Sequence, residues 1–175
     1  MSNASRQAEV EAIDRFLAES KALGDPRPEW RESDKPGWWA ARWPIEDHLG
    51  VTHDGAELRF MCRKDDLKRL SISMLFGGNR IYAVDLVTYE RKPNPPDAHR
   101  FGLPPVVTTS HLHTWADNRA HALGNGPGSM PYRRPTENSL RRLPHALAAL
   151  AQGTNLTLTP EHVSFDVPSQ GYLFT

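Results

Sequence analysis

The stretch LSISMLF (70–76), GGN (77–79), RIYAVDLVTYE (80–90) decides how this chain folds. Leu70, Ile72, Met74 and Phe76 alternate with Ser71 and Ser73, the period-two pattern of a half-buried strand. Gly77-Gly78-Asn79 is a hairpin signal and leads straight into the next strand. Residues 80–90 are apolar on both faces, which places that strand centrally in a sheet. A link this short makes the two strands antiparallel neighbours.

Working outward, Leu58, Phe60 and Cys62 alternate with Glu57, Arg59 and Arg63 and predict a strand over 57–63, with His53-Asp54-Gly55 as the turn before it. In 38–46, Trp39, Ala41, Trp43 and Ile45 alternate, and Pro44 makes this an edge or bulged strand. Residues 25–37 hold Pro26, Pro28, Pro36 and Gly37 and read as a surface connection. Upstream, Val10, Ile13, Phe16, Leu17 and Leu23 fall near one face of a helix over 6–23, capped by Ser5 and ended by Gly24. Downstream lie a proline-rich loop (91–105), a fifth strand (106–115) and a Gly/Pro/Arg loop (117–135). A helix over 137–152 follows, which either kinks at Pro144 or begins close to Leu143. Leu156–Leu158 is strand-like, and the tail is irregular. The expected fold is one α+β domain over residues 1–175. It has an antiparallel sheet of about five strands, an N-terminal and a C-terminal helix, and residues 1–5 disordered.

Composition limits the function classes. The 175 residues carry 21 Lys+Arg against 21 Asp+Glu, so no whole-molecule attraction to nucleic acid is expected. A local basic surface in the second half is expected from Arg91, Lys92, Arg100, Arg119, Arg133, Arg134, Arg141 and Arg142. The bland counterpart is a solvated helix face and loop. Cys62 is the single cysteine, so the chain forms no internal disulfide and no multi-cysteine zinc site. No apolar run reaches the roughly 20 residues of a membrane span, and the polar N-terminus lacks a secretory apolar core. A cytoplasmic protein without membrane contact is expected.

His111 and His113 carry the chemistry. Two apart on a strand, they point to the same face, roughly 7 Å apart at the base. Asp85, in an otherwise apolar strand, needs a partner. Three readings follow. In the first, the two imidazoles do acid–base work on a phosphodiester, Asp85 orients one of them, and Arg119, Arg133 or Arg134 holds phosphate. In the second, His111 and His113 bind a divalent metal with Asp85, His99 or Asp117 as third ligand. In the third, both histidines are structural, and the chain is a non-catalytic interaction protein of mobile-element origin that uses the 117–135 loop. Lesser signals favour bland roles: Cys62 as a buried thiol and Trp39 and Trp43 as core. His162-Val163-Ser164 is half of a paired phosphoesterase motif whose second copy is absent. Trp115, two after His113, is expected to share the histidines' face.

The order of these residues resembles a family. Strand Arg80–Asp85, a loop with Asn94-Pro95, then Ser110-His111-Leu112-His113, an aromatic residue and Asp117-Asn118-Arg119 are similar to small bacterial proteins of the TumE type, the toxins of toxin–antitoxin pairs. The resemblance covers residues 80–120, and the glycine-rich insertion after Arg119 departs from it. It implies a growth-inhibiting protein acting on nucleic acid, a cognate antitoxin as partner, and Arg80, Asp85, His111 and His113 at the site. The leading expectation is a toxin-like nuclease in which His111 and His113 are acid and base and no cofactor is needed, with a divalent-metal hydrolase on the same histidines as the alternative.

Overall fold

The computed structural model describes residues 2–86, 90–136 and 140–168. The hairpin at 70–86 is its centre. β5 (Leu70–Phe76) and β6 (Asn79–Leu86) pair antiparallel through Gly77 and Gly78. Both glycines have positive φ, at 55° and 78°, as a two-residue turn of primed type requires. β6 lies between β5 and β9 (His111–His113) and is buried on both faces, as its composition predicts.

β4 (Thr52–Arg63) and β3 (Trp38–Asp47) extend the sheet, with a bulge between Pro44 and Glu46. The sheet is larger than the five strands expected, and it is mixed. β1 (Lys21–Leu23) adds to β3, and β11 (Leu156–Thr157) pairs with β1 in parallel. β2 (Arg31–Glu32) also borders β3, and β10 (Arg134–Pro135) borders β9. Nine strands therefore form one sheet among the described residues. Pieces of two or three residues carry too little periodicity to be seen in a sequence. β3 is bulged as Pro44 foretells, yet it is flanked on both sides. His53 and Gly55 lie inside β4 rather than in a turn, and the chain reverses over Asp47–Val51, where the Asp47 carboxylate accepts from the Leu49 and Val51 amides.

The helices differ from expectation at their ends. α1 (Asn3–Ala18) is capped by Ser2, not Ser5, and Asn3–Ser5, expected outside the helix, form its first turn. It stops at Ala18 because Lys21–Leu23 are claimed by β3 and β11. α2 (Trp115–Asn125) replaces half of the expected 117–135 loop, and α3 (Leu143–Thr154) begins at Leu143, with Pro144 in its first turn. α4 (Pro160–Val163) is a single turn; in it His162 serves the cap, its Nδ1 accepting from the Thr159 amide. The segment 106–115 is not one strand. β7 (Lys92–Pro93) and β8 (Val106–Val107) form a separate two-stranded ribbon around a 3₁₀ turn at Ala98–Phe101. Residues 87–89 of the expected strand, 137–139 of the expected helix and the end of the irregular tail from residue 169 lie outside the described residues.

One main core joins Phe60, Ile72 and Val84 of the sheet to Val10, Ile13 and Phe16 of α1 and Leu143, Leu147 and Leu150 of α3. Cys62 is buried, and desolvation pushes its thiol up to about 11, an inert group. Among the described residues no helix is long and apolar enough to cross a membrane.

Candidate functional site

Strand register assembles the site. Asp85 of β6 stands opposite Ser71 of β5 on one side and His111 of β9 on the other, and His113 stands opposite Ala83. Alternation puts all these side chains on the face away from the main core. The imidazole centroids lie 5.2 Å apart. His111 Nε2 and His113 Nε2 approach the same oxygen, Asp85 Oδ2, at 3.5 and 3.1 Å. Ser71 Oγ donates to the other oxygen, Oδ1, at 2.5 Å. Arg80 Nη2 also donates to Oδ2, at 3.3 Å, while its Nε is buried without a partner.

The far side of each ring fixes its tautomer. His111 Nδ1 is 3.0 Å from the Thr109 carbonyl, and His113 Nδ1 is 2.7 Å from the Met130 carbonyl. A carbonyl only accepts, so each Nδ1 must carry the proton. In the neutral ring, Nε2 is then a bare lone pair aimed at a carboxylate. Burial pushes the His113 imidazole below its ordinary value and favours that neutral form, although Asp85 opposes the shift. For Asp85, burial alone raises the pKa, but contacts with His111, His113 and Arg80 hold the carboxyl well below the usual range. With both rings neutral, an ionised carboxylate and two lone pairs would meet within hydrogen-bonding range, so a positive centre, either a proton on an Nε2 or a bound cation, is what balances the charge.

Among the described residues, Asp85, His111 and His113 are the trio whose ligand atoms gather for a metal ion, all within 4.8 Å of one another. For ligands about 2.1 Å from a tetrahedral ion, neighbouring donors stand roughly 3.4 Å apart. The observed 3.5 and 3.1 Å match that edge. Carbonyls behind both imidazoles and a hydroxyl behind the carboxylate are the outer partners that orient metal ligands. The rings themselves are buried, so approach is from Asp85 and Arg80, whose side chains are 20% and 32% exposed.

The other candidates lie elsewhere or serve other contacts. Arg119 is on α2 and pairs with Asp14 of α1 at 2.7 Å. Arg134 grips Asp117 through two nitrogens, at 2.6 and 3.0 Å. Asp117 is buried in the first turn of α2 and faces Arg134 and Thr114, away from the histidine trio. His99 sits on the 3₁₀ turn with Nδ1 3.1 Å from the Pro96 carbonyl, outside the trio. Trp115 opens α2 and its Nε1 donates to Asp14, so it does not share the histidines' strand face. Arg133 is the loop arginine within electrostatic reach of the site: burial lowers its pKa while Asp85 opposes the shift, and its guanidinium donates to the Pro93 and Pro131 carbonyls. Asn94 ties the two loops together, donating to the Pro104 and Arg133 carbonyls and accepting from the Arg133 amide.

No family description, curated protein or solved structure matches this chain. The site stands on its geometry alone.

Sequence reasoning missed Ser71, the Thr109 and Met130 carbonyls, and helix α2. Ser71 was legible in principle, since alternation put it on the face opposite the core and the hairpin carries it to Asp85. For α2 the signal was Thr114-Trp-Ala-Asp117, a capping pattern ahead of an alanine-bearing run; Thr114 Oγ1 accepts from the Asp117 amide.

Proposed function

We propose that this protein is a divalent-metal-dependent hydrolase of phosphoesters, with Asp85, His111 and His113 as ligands and Arg80 and Arg133 as phosphate-binding groups. One observation carries the reading: both imidazoles spend Nδ1–H on backbone carbonyls and turn Nε2 toward one carboxylate oxygen. A two-imidazole acid–base pair would need at least one Nε2 free to meet substrate, whereas here both face Asp85. The donor set of two nitrogens and one oxygen suits zinc or manganese and leaves positions open for substrate. When bound, such an ion supplies Lewis acidity toward a phosphoryl oxygen. Arg80 and Arg133 then add charge where negative charge develops. The resemblance to TumE-type toxins adds nucleic acid as the substrate class and growth inhibition as the outcome, with an antitoxin as partner.

The test is metal analysis joined to activity. Protein stripped with chelator and titrated with zinc or manganese is expected to bind one equivalent. His111→Ala and His113→Ala are each expected to abolish both that binding and hydrolysis of a phosphodiester such as bis(p-nitrophenyl) phosphate. Wild-type protein that binds neither ion stoichiometrically would sink the metal reading. Loss of hydrolysis in the histidine variants without any metal would instead favour the acid–base pair.

A further inference from the structure

The trio is one end of a band. Read across the sheet, one row on the face away from the core runs Ala40, Met61, Ser71, Asp85, His111, and the next runs Arg42, Arg59, Ser73, Ala83, His113. The far end is arginine-rich. Arg42 and Arg59 line a cavity of about 640 Å³ together with Arg31 of β2, and the segment from Pro26 to Asp34 forms its wall. Between the two ends the floor is small and half-buried: Met61, Ser71 and Ser73.

The charges along the band are incompletely matched. Arg59 is exposed and has no ion pair among the described residues. Arg42 pairs with Glu57 at 3.2 Å but remains 61% exposed. Arg80 keeps its Nε without a partner. The acids of the cavity wall are partly engaged, Glu29 with Arg31 and Glu32 with Lys64, while Asp34 also lines the cavity. Neighbouring strands lie about 4.8 Å apart, so Arg59 is about 14 Å and Arg42 about 19 Å from the line of His113. That reach exceeds what one phosphate spans and suits several nucleotides of an extended strand.

We propose that this band is the path of a single-stranded nucleic acid, with Arg59 and Arg42 holding phosphates of the strand whose scissile phosphodiester lies at Arg80, Arg133 and the Asp85–His111–His113 trio. The cutting position rests on the metal-centre reading; the binding path does not. A phosphomonoester or a mononucleotide would leave the distal arginines unused, and an acidic peptide is the competing occupant.

Fluorescence anisotropy of a labelled 12-mer of uridylate, with the full chain in chelator and low salt, tests the path. Wild type is expected to bind, and affinity should fall as salt rises. Arg59→Glu combined with Arg42→Glu should weaken binding at least tenfold, and the milder Arg59→Gln/Arg42→Gln pair by a smaller factor. Arg15→Glu, on the exposed side of α1, should leave binding unchanged, with melting curves confirming that each variant folds. Because chelator removes any metal, 12-mer binding under these conditions reports the path alone, which separates failure of the metal centre from failure of the path. The path is overturned by absence of 12-mer binding, by an arginine-pair effect no larger than that of Arg15→Glu, or by equal competition from uridine monophosphate or polyglutamate at matched charge.

Discussion

Asp85 and Asp117 are both largely buried aspartates beside an arginine, and their surroundings differ in one respect. Asp117 meets only true donors: two nitrogens of Arg134 and the hydroxyl of Thr114. Its charge is neutralised inside the fold, and it ties β10 to α2. Asp85 meets Ser71 and Arg80 as donors, but also two ring nitrogens whose protons are committed elsewhere. A carboxylate with all its donors in place is a brace. A carboxylate facing lone pairs in a buried pocket is a receptor for positive charge.

The comparison is sharpest in stability measurements. Asp117→Ala should cost about 2–3 kcal/mol in urea unfolding, because Thr114 and Arg134 lose their acceptor and β10 its tie. The exposed part of Arg134 keeps the figure at the low end. Asp85→Asn in metal-free protein should cost less than Asp117→Ala, since the new amide can donate to an imidazole lone pair. Equal costs for the two substitutions would erase the distinction. Adding zinc at about 100 times its dissociation constant should stabilise wild type by about 2.7 kcal/mol and leave Asp85→Asn unmoved.

Acid should reveal the same difference. His113 and Asp85 both have folded pKa values below their unfolded ones. Each therefore contributes stability that is present above its unfolded value, about 6.5 for histidine and 3.9 for aspartate, and lost as pH falls through the folded value. Metal-free wild type should lose stability progressively below pH ~6.5, in two stages. His113→Gln should flatten the upper stage, and Asp85→Asn the lower, in unfolding midpoints followed against pH.

Smaller effects test the support of each site. Ser71→Ala removes the donor to Oδ1 and should weaken metal binding about tenfold by calorimetry, with the fold intact. Arg119→Ala breaks the partly exposed pair with Asp14 and should cost no more than about 1 kcal/mol, without touching metal affinity.

Much of the central sheet was legible because its residues alternate over long enough stretches. Leu70–Phe76 and Asn79–Leu86 follow the pattern, and Gly77-Gly78 sets the turn. The short strands were not legible. Lys21–Leu23 reads as the end of a helix and becomes a strand only because β3 and β11 flank it. Lys21 shows the same dependence on context. Its ammonium is buried against the Leu17, Glu19 and Thr154 carbonyls, and desolvation lowers its pKa to about 8. Of the candidate site, His111, His113 and Asp85 could be named in advance, because an acid within an apolar strand and paired histidines on another are unusual, whereas Arg80 was named only through the family resemblance. Arg119 and Arg134 could not be separated from Arg133 by sequence, since all three are cations near the same glycine-rich segment. Only their partners divide them.

The amino-acid order by itself determined that an apolar hairpin anchors an α+β fold and that two imidazoles leave one strand on the same side. Local periodicity suffices for that, because a strand's alternation fixes side-chain direction without reference to distant residues. Only the tertiary structure decided that Asp85 lies between Ser71 and His111, and that the Thr109 and Met130 carbonyls set both ring tautomers. Register across strands and the paths of loops arise from packing between segments far apart in the chain, and no local pattern encodes them.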